Sequence, residues 1–262
     1  MKLLKISSVL LILLSLNCKN TAEKVVDIAS DSANALHKTT VPEAISIIPI
    51  NHATMILAFG DMVVYVDPVG GAKLFKDQES PDYILITDIH SDHFDPKTLQ
   101  ELSTETTIFI MPQAVKEKMP NLESKQIVIM NNGDIKEFDS LSVEAIPMYN
   151  LRKEALQFHE KGRGNGYLLT MDHKRIYISG DTEDIPEMRN LKDIDIAFIC
   201  MNLPYTMTVE SAASAVLDFK PKKVYPYHYR GTDGLSDVTK FKTLVNNENS
   251  TIDVVQLDWY SE

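Results

Sequence analysis

Cysteine is scarce in this chain: among 262 residues there are two, Cys18 and Cys200. Cys200 lies in the apolar segment DIAFICMNL, which predicts a small buried hydrophobic residue rather than a nucleophile. The G-x-S-x-G motif of serine hydrolases is also absent. Any hydrolytic chemistry in this chain is therefore expected to use neither a cysteine nor a serine of that type.

Long apolar runs are also lacking, and the one at the amino terminus is too short to cross a bilayer as a helix. Residues 1–17 combine two lysines with an apolar stretch, which predicts a secretory signal peptide. The following Cys18, in LSLNC, resembles the lipidated cysteine of a bacterial lipobox, although Asn17 stands where a small residue is usual. We favour lipidation at Cys18 over an incidental cysteine. This predicts an exported, membrane-anchored bacterial lipoprotein that faces the periplasm or the cell surface.

Positive charge is the third deficit, because 37 acidic residues outnumber 26 basic ones and give a net charge of −11. Removal of residues 1–17 takes away Lys2 and Lys5 and no acidic residue, which changes the charge to −13. Such a protein is a poor candidate for nucleic-acid binding through phosphates. Anionic headgroups would repel it as well, so membrane attachment is expected through the lipid anchor only.

The remaining chain divides into a tether and one domain. Residues 18–42 are polar, small and poor in aromatic side chains, which is typical of a linker between an anchor and a folded unit. Residues 43–262 are long enough for one large domain with a sizeable core. Short strand signals with interspersed helices in both halves favour a layered α/β domain with mixed sheets. Asp95 and Pro96 predict a helix start, as N-cap and first helical residue.

One short stretch, ILITDIHSDHFDP at residues 84–96, concentrates ionisable groups directly after an apolar strand signal. In extended chain, positions two apart point the same way, so Asp88 and His90 can face one point. The turn at Asp92 and His93 offers two more donors toward an adjacent point. Mixed imidazole and carboxylate donors suit a pair of divalent cations. The alternative is a solvated loop with a helix cap.

The segment TDIHSDHFD resembles the H-x-H-x-D-H signature of the metallo-β-lactamase superfamily. NHATMILAFGDMVVYVDP is similar to the opening hairpin of its lactonase-like and phospholipase-like branch of metal-dependent hydrolases, and ISGDTED and YPYHYR match its later metal-binding segments. The likeness covers roughly residues 46–230. It implies a four-layer αββα sandwich with two mixed β-sheets and metals at one edge.

The resemblance also implies a ligand set. Asp92, His93 and His228 would hold one metal, His90 would hold the other, and Asp181 would bridge both. Two positions depart from the family pattern, because Asp88 replaces the first histidine and Asn150 stands where many relatives have another. We expect Asp88 to act as a carboxylate ligand. For the second vacancy, either Asn150 or the nearby His159 completes the site, and we favour His159 over the alternative of a surface histidine.

The predicted function follows from the ions. Two divalent metals, zinc by preference and manganese or iron as alternatives because of the extra carboxylate, would share a hydroxide that cleaves an ester, lactone, amide or phosphodiester. Asp92 and Asp181 would be catalytic through the metals. His52 could donate a proton or hold substrate, and a buried, satisfied histidine is the equal alternative. The expected substrate is a small molecule or a lipid.

Several further residues leave alternatives open. Asp67 could support a metal ligand or merely end a strand. Arg163 and Tyr205 could line the mouth of the site, although surface packing is the favoured interpretation of both. A rival function from another class is a non-catalytic metal-binding surface lipoprotein that keeps the fold.

Overall fold

The computed structural model of the chain describes residues 45–119 and 126–260. These residues belong to one compact unit, Val41–Glu262. The predicted signal peptide, the tether and the lipidation site Cys18 lie outside the described residues and stay predictions.

The first half of the domain forms a six-stranded sheet in sequence order, which we call sheet A. Its first three strands form an antiparallel meander, and the next three add in parallel, each after a crossover. The strands are β1 Ser46–Asn51, β2 Thr54–Phe59, β3 Met62–Val66, β4 Tyr83–Leu85, β5 Ile108–Met111 and β6 Gln126–Ile129.

The second half forms a seven-stranded sheet, sheet B, in the order β15-β12-β11-β10-β9-β8-β7. Strands β10, β11, β12 and β15 are parallel, and β7 to β10 pair antiparallel. The strands are β7 Ile135–Glu137, β8 Ser142–Met148, β9 Gly164–Met171, β10 Lys174–Ile178, β11 Ile196–Ile199, β12 Lys223–Pro226 and β15 Asp253–Val254. A separate two-stranded ribbon pairs β13 Arg230–Gly231 with β14 Gly234–Leu235.

Helices cover the outer faces of both sheets. The helices are α1 Pro96–Leu102, α2 Gln113–Lys118, α3 Pro186–Arg189, α4 Val209–Phe219 and α5 Val238–Glu248, with a 3₁₀ turn at Ala72–Phe75. Apolar residues of α1 and α2 pack on sheet A, and those of α3, α4 and α5 pack with sheet B. The order helix, sheet, sheet, helix is the predicted four-layer αββα sandwich, and the prediction is confirmed.

The core shows why the sheets stack in this way. Along β2, Met55 and Leu57 enter the core between the sheets, whereas Ile56 packs in the cluster beneath α1 and α2. The same alternation continues in the neighbouring strands of sheet A. Because successive strand residues face opposite sides, a strand that is apolar on both faces must lie between two layers.

Several local predictions hold. Asp95 caps α1, because its side chain accepts a hydrogen bond from Lys97 N at 3.0 Å, and Pro96 is the first helical residue. Apart from these predictions, Asp172 and His173 form the turn between β9 and β10 with φ values of 43° and 63°, and both are exposed. The sequence did not reveal α3 or β7, which are only four and three residues long.

Within residues 45–119 and 126–260, no helix combines the length and the apolar character that crossing a membrane requires.

Candidate metal centre

The candidate site lies where several strands end. Asp67 follows β3, Asp88 follows β4, Asp181 follows β10 and His228 follows β12. β3 and β4 are parallel neighbours in sheet A, and β10 and β12 run parallel in sheet B, so these residues leave the carboxyl ends of their strands. A rigid sheet therefore holds polar residues from distant parts of the sequence at one edge.

Four side chains converge into what we call the first donor group: Asp92, His93, Asp181 and His228. His93 Nε2 lies 3.0 Å from His228 Nε2 and 3.3 Å from Asp181 Oδ2. His228 Nε2 lies 3.1 Å from Asp181 Oδ1 and 3.5 Å from Asp92 Oδ2. The sequence prediction that these residues meet is therefore matched by their positions, although 135 positions separate His93 from His228.

Three further side chains form the second donor group: Asp88, His90 and His159. Asp88 Oδ2 lies 2.8 Å from His90 Nδ1 and 3.9 Å from His159 Nε2. Asp181 connects the two groups, because its Oδ2 also lies 3.2 Å from His159 Nε2. This is the position that a bridging carboxylate would need.

Asp67 fixes the orientation of His93. The Asp67 carboxylate is fully buried; its Oδ1 accepts from Thr87 N at 2.7 Å and its Oδ2 accepts from Thr87 Oγ1 at 2.6 Å. The same Oδ2 lies 2.8 Å from His93 Nδ1. A carboxylate on one ring nitrogen turns the other nitrogen toward a metal and raises its basicity. Asp67 thus orients the candidate ligand His93, which corresponds to one of the two roles left open for it.

Asn150 supports His159 from the rear. Asn150 Oδ1 lies 3.2 Å from His159 Nδ1, and Asn150 Nδ2 donates to Ala155 O at 2.9 Å and to Tyr205 O at 2.7 Å. All the polar atoms of the amide are occupied, and the ring it holds presents Nε2 to Asp181. Of the two candidates for the vacant histidine position, His159 is therefore the one placed at the site.

The loop that carries His159 is anchored by a buried carboxylate, Glu183, which the sequence analysis did not single out. Glu183 Oε2 accepts from Leu151 N and Arg152 N, both at 2.9 Å. Glu183 Oε1 accepts from Arg152 Nε at 2.7 Å, and Arg152 Nη2 donates to Thr206 O, also at 2.7 Å. These bonds tie the loop to both neighbouring segments and so hold His159 in place.

His52 reaches the same edge and is half-buried. Its Nδ1 lies 2.8 Å from Tyr260 Oη, its Nε2 lies 3.5 Å from Asp92 Oδ2, and its ring centroid is 3.9 Å from that of His228. The site thus contains His52, but as a neighbour of the first donor group rather than a member. Tyr260 was not foreseen, since 208 positions separate it from His52.

Three non-glycine residues at this edge have strained backbone conformations. His52, Asp67 and His228 have positive φ values of 56°, 45° and 45°, which non-glycine residues rarely adopt. Gly180, directly before Asp181, has φ +60°, and a Cβ there would meet Met148 Sδ at 2.7 Å. Such conformations cost of order 1–3 kcal/mol each and are retained mainly where function needs them.

The electrostatics of the first donor group are strongly coupled. Burial raises the pKa of Asp181, but the neighbouring His228 and His93 outweigh it and hold the pKa well below the usual range. Burial likewise opposes charge on His93 and His228, yet the adjacent Asp181 raises the pKa of both rings above 6.5. The pKa of Asp92 is lowered, since His93 and bonds from His228 and His52 exceed the effect of burial. The group therefore favours bound positive charge.

The donors of the first group also fit a divalent ion by geometry. A tetrahedral zinc ion with ligands at about 2.0–2.1 Å separates those ligands by about 3.3–3.4 Å. The observed separations among His93, His228, Asp181 and Asp92 range from 3.0 to 3.9 Å, and four of the five lie between 3.0 and 3.5 Å. In addition, Asp181 Oδ1 is buried and makes no well-aligned hydrogen bond among the described residues, although His228 Nε2 lies 3.1 Å away. A buried polar atom without a partner is costly unless something else binds it.

The second donor group differs because an arginine enters it. Arg163 donates from Nε to Asp88 Oδ1 at 3.1 Å and from Nη2 to Asp88 Oδ2 at 2.7 Å. Its side chain is only 18% exposed. The favoured interpretation of Arg163 as surface packing was therefore wrong, because the guanidinium is held inside the site by a buried carboxylate.

The structure also shows the surroundings of Cys200 and Tyr205, two residues considered in the sequence analysis. Cys200 is fully buried, its Sγ donates to Thr182 O at 3.4 Å, and burial raises the pKa of its thiol to about 12. This confirms that it is a packed residue and no thiolate nucleophile. Tyr205 is exposed, and its ring packs against Phe158 at 5.1 Å beside the loop that carries His159.

Sequence comparison gives an independent view of this centre. A family model described as the beta-lactamase superfamily domain matches residues 46–228. The chain is 29% identical over 185 residues to a metal-dependent hydrolase of Pyrococcus horikoshii, an alignment that covers 68% of this chain and 80% of the relative. A metal-dependent hydrolase of Thermoplasma acidophilum is 28% identical over 229 residues, which cover 82% of this chain and 97% of the relative.

Solved structures with a similar fold support the same family assignment. A metal-dependent hydrolase from Parabacteroides distasonis superposes with a TM-score of 0.73 and 39% identity over 82% of this chain and 93% of the other. CmlA, a diiron β-hydroxylase from Streptomyces venezuelae, shares the fold with a TM-score of 0.62 and 18% identity over 82% of this chain and 53% of its own. Because a diiron oxygenation enzyme has the same fold, the fold by itself does not decide the metal.

Proposed function

Because this chain belongs to the metallo-β-lactamase superfamily of metal-dependent hydrolases, we propose that it hydrolyses an ester, lactone, amide or phosphodiester at the first donor group. The single observation that supports this best is the convergence of Asp92, His93, Asp181 and His228, four side chains from three separate loops, within ligand distance of one another.

The residues of the chain have distinct parts in this proposal. His93, His228 and the two carboxylates would hold a divalent ion, with Zn²⁺ favoured and Mn²⁺ or Fe²⁺ as alternatives. When bound, such an ion lowers the pKa of a water molecule and polarises a carbonyl or phosphoryl oxygen. Asp67 keeps His93 in the ligating orientation. His52 lies 3.5 Å from Asp92 and, since burial lowers its pKa, it can accept a proton near neutral pH.

The sequence prediction of two ions sharing one hydroxide is a narrower claim. Asp181 is placed between both donor groups, which supports it. The pairing of Asp88 with Arg163 speaks against it. The two-ion form therefore stays a prediction that metal stoichiometry can test.

The surroundings of the site favour a substrate with an apolar part. Leu151, Leu156, Leu203 and Tyr205 are large apolar side chains that remain exposed. They lie on the loop after Asn150 and on the segment that Asn150 binds through Tyr205 O. Apolar surface beside a polar centre is typical of a substrate-binding rim. A small ester or lactone with an alkyl group, or a lipid, is the substrate class we propose.

Export and lipidation at Cys18 are separate proposals, supported by residues 1–18 of the sequence. Expression in a bacterial host with a labelled fatty acid should label the wild-type chain and leave the Cys18→Ser variant unlabelled. Equal labelling of both would contradict lipidation at this residue.

The test of the hydrolase proposal combines metal analysis with a panel of chromogenic esters, lactones, amides and phosphodiesters. We expect wild-type protein to turn over at least one class, and Asp181→Ala to lose about 10²–10³-fold or more in kcat/KM. Asp77→Ala, which removes an exposed carboxylate, is the matched control and should keep full activity. A folded wild-type protein that contains no metal and turns over no substrate would favour the rival function, a non-catalytic surface lipoprotein.

A further inference from the structure

The geometry points to Arg163 as the resident cation of the second donor group, so that the chain binds one catalytic metal ion tightly and uses a guanidinium in place of the second. This inference rests on the proposed function, because it assumes that the first donor group holds a divalent ion. It replaces the two-ion expectation for Asp88, His90 and His159 with a different occupant.

The first step is the occupancy of Asp88. Both of its carboxylate oxygens accept from the same guanidinium, at 3.1 Å from Nε and 2.7 Å from Nη2. This bidentate geometry is the strongest form of a carboxylate ion pair. Asp88 is fully buried, and breaking a buried pair is expensive. The carboxylate that should ligate the second metal is therefore already neutralised.

The second step concerns His90. Its Nδ1 lies 2.8 Å from Asp88 Oδ2, which assigns the proton to that nitrogen and leaves the lone pair on Nε2. Arg163 Nη2 lies 3.4 Å from this Nε2. The positively charged guanidinium therefore lies next to the nitrogen that a metal would require. His90 is also partly exposed, unlike the fully buried imidazoles of the first group.

The third step is how Arg163 is held. Its Nη2 also donates to Phe158 O at 2.6 Å, so a main-chain carbonyl fixes the guanidinium in addition to the carboxylate. Arg163 precedes β9 by a single position, and Phe158 precedes His159. The loop that supplies His159 to the centre therefore supplies the arginine as well, and the two side chains are positioned together.

The consequence is electrostatic. Two like charges in such close proximity repel each other strongly at the effective dielectric constants found near protein surfaces. A second divalent ion among Asp88, His90 and His159 would lie next to the guanidinium, which has no lone pair to offer it. The exchange of the signature's first histidine for Asp88 then has a physical reason: an aspartate pairs with an arginine, and a neutral histidine does not.

Metal titration tests the inference without any activity measurement. The full chain is stripped with chelator and titrated with Mn²⁺ or Zn²⁺, and bound metal is counted by elemental analysis after dialysis. Wild-type protein should bind one ion, with any second ion at least about tenfold weaker. The Arg163→Ala variant should gain a second ion of comparable affinity, because Asp88 and His90 become free.

A matched control and a second variant sharpen the result. Arg189→Ala removes another arginine that pairs with aspartates, away from the site, and should leave the count at one. The double variant Asp88→His with Arg163→Ala restores the signature histidine and should also bind two ions. In electron paramagnetic resonance, Mn²⁺ bound to wild-type protein should give the signal of isolated ions, and either Arg163 variant that of a coupled pair.

Two ions of similar affinity in wild-type protein would overturn the inference and leave the proposed function intact. An Arg163→Ala variant with no more metal than the wild type would also overturn it. No bound metal in the wild type would remove both the inference and the proposed function. The number of metal ions bound by the wild-type protein tests the inference even if a variant fails to fold.

Discussion

The two donor groups contain similar residues and lie side by side, yet they differ in what their atoms already bind. In the first group, Asp181 Oδ1 lies 3.1 Å from His228 Nε2 and Asp181 Oδ2 lies 3.3 Å from His93 Nε2, and Oδ1 makes no well-aligned hydrogen bond among the described residues. His159 Nε2 of the second group is likewise buried without a hydrogen-bond partner among those residues. In the second group, both oxygens of Asp88 are paired with Arg163. A residue with a suitable donor atom can therefore bind a metal only if another group does not already occupy that atom.

The two groups also differ in the residue that holds their histidine in place. His93 is held by the buried carboxylate of Asp67, and His159 is held by the amide of Asn150. In both cases the supporting group binds Nδ1 and leaves Nε2 facing Asp181. A supporting carboxylate raises the basicity of its imidazole, whereas an amide does so less. The first group should therefore bind metal more strongly.

The largest predicted difference between the two groups is in the effect of replacing a histidine in each of them. We expect His228→Ala to lower kcat/KM on the identified substrate by about 10²–10³-fold and to remove the bound metal, because it is a member of the first group. His159→Ala should keep the metal and lose less activity. Measurements of activity and metal content on both variants show which substitution causes the larger loss. Loss of the metal from His159→Ala while His228→Ala keeps it would contradict the predicted difference between the two groups.

A smaller effect is expected from the support of His93. Asp67→Asn should weaken metal binding about 10–100-fold, because the carboxylate that orients the imidazole becomes neutral. Asn150→Ala, the corresponding change behind His159, should alter metal affinity less. Competition with a chromophoric chelator measures both values, and equal losses would show that the two groups share one ion.

The pH dependence of the stability of the metal-free chain should be set by the imidazoles of the first donor group. The pKa values of His93 and His228 are raised above 6.5 in the folded state, chiefly by Asp181 against the effect of burial. Their contribution to stability is therefore complete below pH 6.5 and is lost as the pH rises through the folded-state pKa values. His52, whose pKa is lowered by burial, acts in the opposite sense and at lower pH: its contribution to stability rises as the pH approaches 6.5, below the range of this loss.

We thus expect the Tm of the metal-free chain to fall as the pH is raised from 6.5. Saturating metal should remove this fall, because metal binding releases the same protons and strengthens with pH. Thermal unfolding with and without metal measures both effects. A Tm of the metal-free chain that rises steadily over this range would contradict the assignment of positive charge to these imidazoles.

The smallest predicted effect lies outside both groups. Asp95→Ala removes the N-cap of α1, whose side chain accepts from Lys97 N and Thr98 Oγ1, and should cost about 0.5–2 kcal/mol of stability. Metal affinity should not change, because Asp95 contacts neither donor group. Denaturant unfolding and metal titration separate the two quantities; a change in metal affinity would show that α1 positions the loop carrying His93.

The strand and helix patterns of the sequence predicted a layered α/β domain with mixed sheets because they express local periodicity, whereas the four-layer αββα sandwich was implied by the resemblance to the family. The Asp95 cap can be read directly from neighbouring residues. The family signature likewise pointed to His93 and Asp181, which follow recognisable strands and lie 3.3 Å apart in the structure. These features depend on short segments, which is why they could be predicted.

The partners of the ligands could not be predicted, because they depend on contacts between distant segments. Arg163 reaches Asp88 across 75 positions, and Tyr260 reaches His52 across 208. Glu183 showed no signal beyond its place after Asp181, yet it anchors the loop of His159 through Arg152. A charged residue in a glycine-rich loop gives no indication of which carboxylate it will meet.

The most direct measurement of the central claim is anomalous diffraction at the metal edge from crystals of metal-loaded protein. The account predicts an anomalous peak enclosed by Asp92, His93, Asp181 and His228. Absence of a peak there in fully loaded crystals, or metal bound only elsewhere on the chain, would contradict it.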